Sequence, residues 1–431
     1  MRRDVLGLGR PLAQASPLSD LQRHGLPFLN IGKCRCYFFW ILDTVAKSTR
    51  MRSIEMKQNV IALVFGGRSS EHSVALRSAA TIHAALIALG HRVHCVGIDR
   101  EGNWRYQGEP CQFPGAVDRS APLISIRPGH RSLSYTTQES GTVEIGIDLL
   151  FPALHGRWGE DGTIQGLAAM CGLPCVGSGV LGSAMAMDKD VTKRMVQSAG
   201  LVVGPWLAMN SMRPWEELVE CLGSSTLFVK PAASGSSIGV SRVSNTLEYA
   251  AAFAIAARED TKVLVEAAVC GREIECGVLE LEEGLMASVV GEIIKKEGHA
   301  YYDYQAKYDS NSVTGLRVPS LLPPDIVARI QALSVQAFRC LELKGYARVD
   351  FFLTEEGEII LNEINTLPGF TSASMYPKMF ECSGYPPPKL VGALVEYALS
   401  SASKERLSHV LPTPCLKKRN DCISSLGKVL G

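Results

Sequence analysis

Polar and apolar positions alternate across Ala347 to Leu353 and again across Glu358 to Ile364, with Thr354-Glu355-Glu356-Gly357 between them. A period of two predicts a β-hairpin. Earlier in the chain the pattern changes: Val60 to Phe65 is a continuous apolar strand, Gly66-Gly67-Arg68-Ser69-Ser70 a turn, and a helical period then runs to Gly90. With a second strand at Arg92 to Ile98, this is the βα repeat of a parallel-sheet lobe. Ile147 to Ala153 reads as a further buried strand, Met187-Asp188-Lys189 opens a helix that Gly200 caps, Val263 to Val269 starts as a strand and leaves it, and a helix is predicted from Asp325 to about Leu343. The stretch from about Asn103 to Glu144 is rich in Pro, Gly and Ser and reads as loops and an irregular hairpin, and Val176 to Ala186 as a linker into a central domain. Residues 1–56 and the tail after Leu399 show no clear period.

Composition narrows the class. The chain has 431 residues, 46% hydrophobic and 20% charged, ample for two or three globular domains. A formal net charge of +1 argues against a nucleic-acid partner held by electrostatics, even though the tail carries Lys417-Lys418-Arg419. Thirteen cysteines without a repeated CxxC spacing point to reduced thiols in a cytoplasm rather than to a disulfide framework or a zinc site. No apolar run approaches the roughly 18 residues that cross a membrane. Met51 and Met56 stand just before the first strand, so one of them is the expected start of translation, with a disordered or targeting extension as the rival reading.

The hairpin carries unusual chemistry for a buried sheet. Side chains two apart share a face, so Arg348 and Asp350 point one way together, and so do Glu363 and Asn365. Two carboxylates, an amide and a guanidinium need a partner when buried, and such oxygen donors suit magnesium shared with nucleotide phosphates. A second phosphate-handling element is Leu227 to Val240, where a strand delivers Lys230 into the loop Pro231-Ala232-Ala233-Ser234-Gly235-Ser236-Ser237. Small residues let backbone N–H groups approach phosphate oxygens while the lysine supplies a point charge. Neither a Walker A nor a GxGxxG spacing is present. His155 and the three glycines of HGRWGEDG follow the Ile147 strand, at the end where open α/β sheets bind ligands.

The string Asn362 to Thr371, NEINTLPGFT, resembles the C-terminal signature of the D-alanine--D-alanine ligases, members of the ATP-grasp fold, and the resemblance extends from about Val60 to about Leu399. It implies an α/β (α+β) architecture: an extension at 1–56, an N-terminal Rossmann-like substrate lobe at 57–177, a central lid domain at 178–266, a catalytic domain at 267–400 and a basic tail at 401–431. It implies ATP and two D-alanine molecules as substrates, two Mg2+ or Mn2+ ions on Asp350, Glu363 and Asn365, a homodimer, and a cytoplasmic role in peptidoglycan precursor synthesis. Lys189, Lys230, Ser237 and Lys307 would contact phosphates, Glu266 and the backbone near Val269 the adenine, and Glu273 the ribose. Glu71 would hold the first D-alanine's ammonium, with Ser236 and Tyr308 closing the cavity and His155 nearby. Ser374 and the Met375 amide would hold the second carboxylate, and Arg348 with the Gly369 N–H the oxyanion. Tyr308, within the DYxAKY loop pattern, favours the dipeptide former over a D-lactate or D-serine ligase. The chain departs from the family at Ala75, where a serine often follows the valine.

Overall fold

The computed structural model describes residues 58–295 and 314–410. In chain order the elements are β1 (Val60–Gly66), α1 (His72–Ala88), β2 (Arg92–Ile98), β3 (Trp104–Tyr106), β4 (Ile124–Ile126), β5 (Ser132–Thr137), β6 (Gly141–Gly146), β7 (Leu149–Ala153), α2 (Thr163–Met170), α3 (Val180–Met187) and α4 (Lys189–Ser198). Then come β8 (Trp206–Met209), α5 (Trp215–Leu222), β9 (Leu227–Pro231), β10 (Ser241–Val243), α6 (Thr246–Glu259) and β11 (Val263–Ala267). The chain continues with β12 (Arg272–Leu281), β13 (Gly284–Lys295), β14 (Thr314–Arg317), α7 (Pro324–Cys340), β15 (Tyr346–Leu353), β16 (Ile359–Asn365), α8 (Met375–Cys382) and α9 (Pro387–Val410).

The first sheet has the order β3-β2-β1-β7, with β1 parallel to both β2 and β7. Its strands read as apolar runs because helices cover both faces. One face, through Ile61, Leu63 and Phe65, packs on α1; the other, through Ala62 and Val64, packs on Ile164 and Ala168 of α2. A second sheet, β10-β9-β11-β8, is antiparallel, and a third, β14-β13-β12-β15-β16, contains the predicted hairpin at its edge. Helix starts follow local chemistry: the Asp188 carboxylate accepts from the Asp190 and Val191 amides at α4, Asn245 accepts from Glu248 at α6, and α7 opens on Pro323-Pro324.

Core packing joins some elements and separates others. Phe370, Tyr376, Phe380 and Leu390 from the C-terminal part share one apolar cluster with β1, β7 and α1. The β8–β11 sheet instead closes on its own cluster with α5 and α6, built around Leu218, Val229, Tyr249 and Val265. Burial therefore ties the first and third sheets together more firmly than it ties either to the second.

Three expectations need correction. Residues 124–146 form a regular three-stranded antiparallel sheet, β4-β5-β6, whose Leu133 and Ile145 alternate inward against the β2–β1–β7 face. The short, broken apolar pattern had hidden it. The linker reading fails over Val180–Met187, which is the helix α3: small residues let it pack closely, and a Cβ at Gly182 would meet the Glu342 carbonyl oxygen at 3.0 Å. Residues 401–410 continue α9 rather than starting an unpatterned tail. The expectations for residues 1–56, and those for Lys307, Tyr308 and the rest of the tail, lie outside the described residues.

Candidate active site

Strand register assembles the acidic end. Glu275 on β12 lies opposite Asp350 on β15, and Asp350 lies opposite Glu363 on β16, so three carboxylate residues form a row across three strands. The adjacent row is Gly277, Arg348 and Asn365. Like charges side by side on a sheet repel unless a cation intervenes. Here Arg348 is that cation: its Nε and Nη2 donate to the two Asp350 oxygens at 2.7 Å each, and Nε stands 2.9 Å from Glu275 Oε2. Burial would lower the Arg348 pKa, yet Asp350 and Glu275 hold it well above its ordinary value. Asn365 donates its amide nitrogen to Asp350 Oδ2 at 3.0 Å, which leaves its oxygen as the remaining polar end.

These carboxylates form one end of a cavity of about 840 Å³ between the second and third sheets, within the range that holds a nucleotide. Lys189, Lys193 and Lys230 line it, as do Ser237, Val269 and Glu273. Lys230 Nζ is 2.7 Å from Glu266 Oε2, and Lys193 Nζ is 3.3 Å from Glu266 Oε1. Burial pushes the Glu266 carboxyl up, but the two lysines outweigh it and hold it at about 2. Lys189 donates to the Ser234 carbonyl and lies 4.0 Å from Glu363, bridging the loop after β9 to the acidic row. Its pKa is lowered by burial, partly opposed by Glu363.

A second corner lies where α1 begins. Glu71 is buried and accepts a hydrogen bond from the Ser236 hydroxyl. Gly156 and Gly235 press against its carboxylate: a Cβ at either would meet Glu71 Oε2, at 2.8 Å and 2.9 Å. Ser236 and Ser237 both adopt left-handed backbone, with φ of 51° and 59°, a conformation that costs energy in non-glycine residues. His155 is buried and fully bonded, its Nδ1 donating to the Leu367 carbonyl at 3.0 Å and its Nε2 paired with Ser78 Oγ at 2.9 Å. The tautomer follows, since only a protonated Nδ1 can serve a carbonyl oxygen. Burial lowers the His155 pKa, so the ring is neutral. The Phe370 amide donates to the same Ser78 hydroxyl, which draws the Leu367-Pro368-Gly369 turn against this corner. Ser374 stands at the N-cap position of α8, its hydroxyl bonded to Thr371 Oγ1 at 2.8 Å rather than to the helix amides, and a Cβ at Gly369 would meet its Oγ at 2.9 Å.

The structure thus gathers Asp350, Glu363, Asn365 and Arg348 at one end of the nucleotide-sized cavity, lines that cavity with Lys189, Lys230, Ser237, Glu266, Val269 and Glu273, and sets Glu71, Ser236, His155, Gly369 and Ser374 in the neighbouring corner. Sequence reading missed three residues. Glu275 shares a strand face with Glu273, and Lys193 lies one helical turn from Lys189, so alternation and i,i+4 spacing respectively could have found them. Glu160, inside HGRWGEDG, accepts from the Gly156 amide at 2.7 Å and the Leu367 amide at 3.2 Å. Burial and the Glu71 charge push its carboxyl up to about 8. Among the described residues no cluster of three or more His, Cys, Asp or Glu side chains forms a metal cage by itself. The oxygen donors of Asp350, Glu363 and Asn365 nevertheless fit magnesium, which takes few protein ligands and completes its shell with water and phosphate.

Two sheets closing on a cationic cavity with an acidic end, beside a parallel-sheet lobe, define the ATP-grasp class of enzyme. The sequence profile described as D-ala D-ala ligase N-terminus matches residues 60–178 and that described as D-ala D-ala ligase C-terminus matches residues 195–396; the chain belongs to the D-alanine--D-alanine ligase family. It is 99% identical over 352 residues to the D-alanine--D-alanine ligase A of Pseudomonas putida, covering 82% of this chain and 100% of that protein. The solved D-alanine-D-alanine ligase of Coxiella burnetii superposes with a TM-score of 0.70 at 32% identity, over 82% of this chain and 100% of that one. VanG D-Ala:D-Ser ligase of Enterococcus faecalis does so at 0.67 and 32%, over 79% and 100%. As the family implies, the chain is an enzyme that uses ATP.

Proposed function

We propose that this chain joins two D-alanine molecules into D-alanyl-D-alanine at the expense of ATP, through an acyl phosphate, for peptidoglycan precursor synthesis. The observation that carries the reading is the Arg348-centred acidic row at the seam between the nucleotide-sized cavity and the Glu71 corner. An amide bond between free amino acids is uphill in water, so a carboxylate oxygen of the first D-alanine attacks the γ-phosphorus and ADP leaves. The amino group of the second then attacks the acyl carbon, a tetrahedral oxyanion forms, and its collapse expels phosphate.

Each group has a physical task in this scheme. Glu71 receives the first ammonium in a site tightened by Gly156, Gly235 and Ser236. Lys189 and Lys230 bring positive charge to the phosphates; Glu266, Val269 and Glu273 take the base and ribose. Arg348 and the Gly369 N–H stabilise the oxyanion, and the Ser374 hydroxyl with the α8 N-terminus receives the second carboxylate. Both ring nitrogens of His155 are already bonded, so it serves as a positioning group and a phosphate oxygen takes the amine proton. Asp350, Glu363 and Asn365 would hold two magnesium or manganese ions, whose contribution is to neutralise charge on the phosphates. The reading extends to a cytoplasmic homodimer; no helix among the described residues is long and apolar enough to cross a membrane.

ADP release with ATP and magnesium, in the presence of D-alanine, L-alanine, or D-alanine plus D-lactate or D-serine, with products weighed by mass spectrometry, tests the reading. D-alanine alone should give the dipeptide. Turnover only in a mixture, giving a mixed product, would overturn the assigned second substrate. ATP binding without any turnover would overturn the catalytic reading.

A further inference from the structure

A second cavity, of about 270 Å³, opens at the carboxyl ends of β1, β2 and β7. It shares no lining residue with the nucleotide-sized cavity. It lies on the α2 face of the first sheet, opposite the face covered by α1, because Ile164 and Leu167 of α2 line it together with Ile98 and Leu154. Strand order places it at a topological switch: β1 is central, with β2 on one side and β7 on the other. Crevices outside the strand ends at such points are where open α/β sheets receive ligands. Of its walls, His155 also belongs to the substrate corner, but both nitrogens of that ring are bonded to Ser78 and Leu367.

The lining has a consistent chemistry. Ile98, Leu154 and Ile164 are buried and give an apolar floor. Arg68 and Arg157 stand at the rim, and the lining contains no aspartate or glutamate. Arg68 is held in place on two sides: a Cβ at Gly102 would meet its Cδ at 2.6 Å, and its guanidinium lies 4.6 Å over the Trp158 ring. Among the described residues it has no carboxylate within ion-pair distance. Trp158 is 45% exposed and has a φ of 64°, so the loop keeps a large indole at the mouth of a cavity in a backbone conformation that bulky residues avoid. Arg157 reaches the same rim while its Nη2 lies 3.6 Å from Asp260.

From this geometry we propose that the cavity is a binding site for a small aryl or branched aliphatic monocarboxylate, distinct from the substrate and nucleotide sites. The apolar body fills the floor beside the Trp158 ring, and Arg68, with Arg157, takes the carboxylate in charge-assisted hydrogen bonds. An amino acid is disfavoured because nothing acidic lines the cavity to receive an ammonium group. The volume, about nine times that of one water molecule in the liquid, sets the size at roughly ten non-hydrogen atoms.

Phenylacetate is the probe, titrated calorimetrically into the full-length protein with and without saturating ATP. Phenylacetamide serves as the uncharged isostere and phenylalanine as the zwitterion. The expected result is saturable binding of phenylacetate that ATP does not displace, and about tenfold weaker binding of both other probes. Arg68→Gln should weaken phenylacetate about tenfold, and so should Trp158→Asn, which tolerates the left-handed backbone. Both variants should retain D-alanine-dependent ADP release, which shows that they fold. Equal binding of phenylacetate and phenylacetamide, displacement by ATP, undiminished binding to both folded variants, or no saturation by about 10 mM would each overturn the proposal.

Discussion

Lys193→Met removes one of the two cations that hold Glu266 ionised in the nucleotide-sized cavity. Both partners are almost fully buried, and Glu266 keeps Lys230 at 2.7 Å when Lys193, at 3.3 Å, is lost. The carboxyl is held at about 2 against an ordinary 4.5, a difference worth about 3 kcal/mol at 1.36 kcal/mol per unit. That figure overstates the pair, because burial also lowers the Lys193 pKa and so works against its charged form. Dividing the remainder between two lysines leaves about 1–2 kcal/mol for Lys193 at neutral pH. The sign is that of a depressed carboxylate: its stabilisation is complete above pH 4.5 and is lost as pH falls through that value toward about 2. Lys193→Met should therefore lower the urea midpoint at pH 7, and the difference from the parent protein should shrink below pH 4.5. The KM for ATP should rise about tenfold, since Glu266 drifts without its second anchor. An unchanged midpoint at pH 7 together with an unchanged KM would refute the reasoning.

Arg348→Ala should lower kcat by a factor of about 10² to 10³, the usual effect of losing one oxyanion donor; an ADP-release assay that finds kcat intact would remove Arg348 from the chemistry. Gly156→Ala places a Cβ 2.8 Å from Glu71 Oε2 at a φ of 72°, so the apparent affinity for the first D-alanine should fall with little change in that for ATP. Glu160 has its folded pKa raised to about 8, so its contribution is complete below pH 4.5 and declines as pH rises toward 8. Glu160→Gln should flatten that decline in thermal unfolding measured between those pH values. Chelation with EDTA should abolish ADP release, and added magnesium or manganese should restore it.

How legible each part was depended on whether its signal was local. The β15–β16 hairpin and the β1–α1–β2 unit have strong periods of their own, and the structure reproduces both. The Asp350, Glu363 and Asn365 set was readable because alternation fixes which side chains share a face. Alternation could have put Glu275 on the face of Glu273, but its place beside Asp350 was not readable, because it depends on the pairing of β12 with β15, a register set across more than seventy residues of chain. The β4-β5-β6 sheet was missed since its strands are short and half-exposed, so packing on the first sheet outweighs any intrinsic preference. For Glu160 the obstacle was different: an acid in a glycine-rich loop looks solvated until the Leu367 amide, 207 residues away, is seen to meet it.

The distribution of buried surface gives the proposed chemistry a mechanical basis. Glu71 at the start of α1 and the substrate groups on the Leu367–Gly369 turn belong to elements that share one apolar cluster, and His155, Ser78 and Glu160 add hydrogen bonds between them. Elements welded by a common core hold their separations well, which is what reacting atoms need at the acyl centre. The loop carrying Ser236 belongs instead to the sheet with its own core, and it meets the substrate corner and the acidic row through polar contacts: Ser236 to Glu71 and Arg157 to the Ala233 carbonyl on one side, Lys189 to Ser234 on the other. Polar contacts exchange with water at small net cost, whereas opening an apolar interface loses its burial outright. Motion that admits nucleotide should therefore open the second sheet away from the other two and leave the substrate corner intact. Amide hydrogen exchange should show ATP protecting residues 232–240 far more than α1 or the Leu367 turn. Equal protection of all three would mean that the substrate corner is itself assembled only when nucleotide binds.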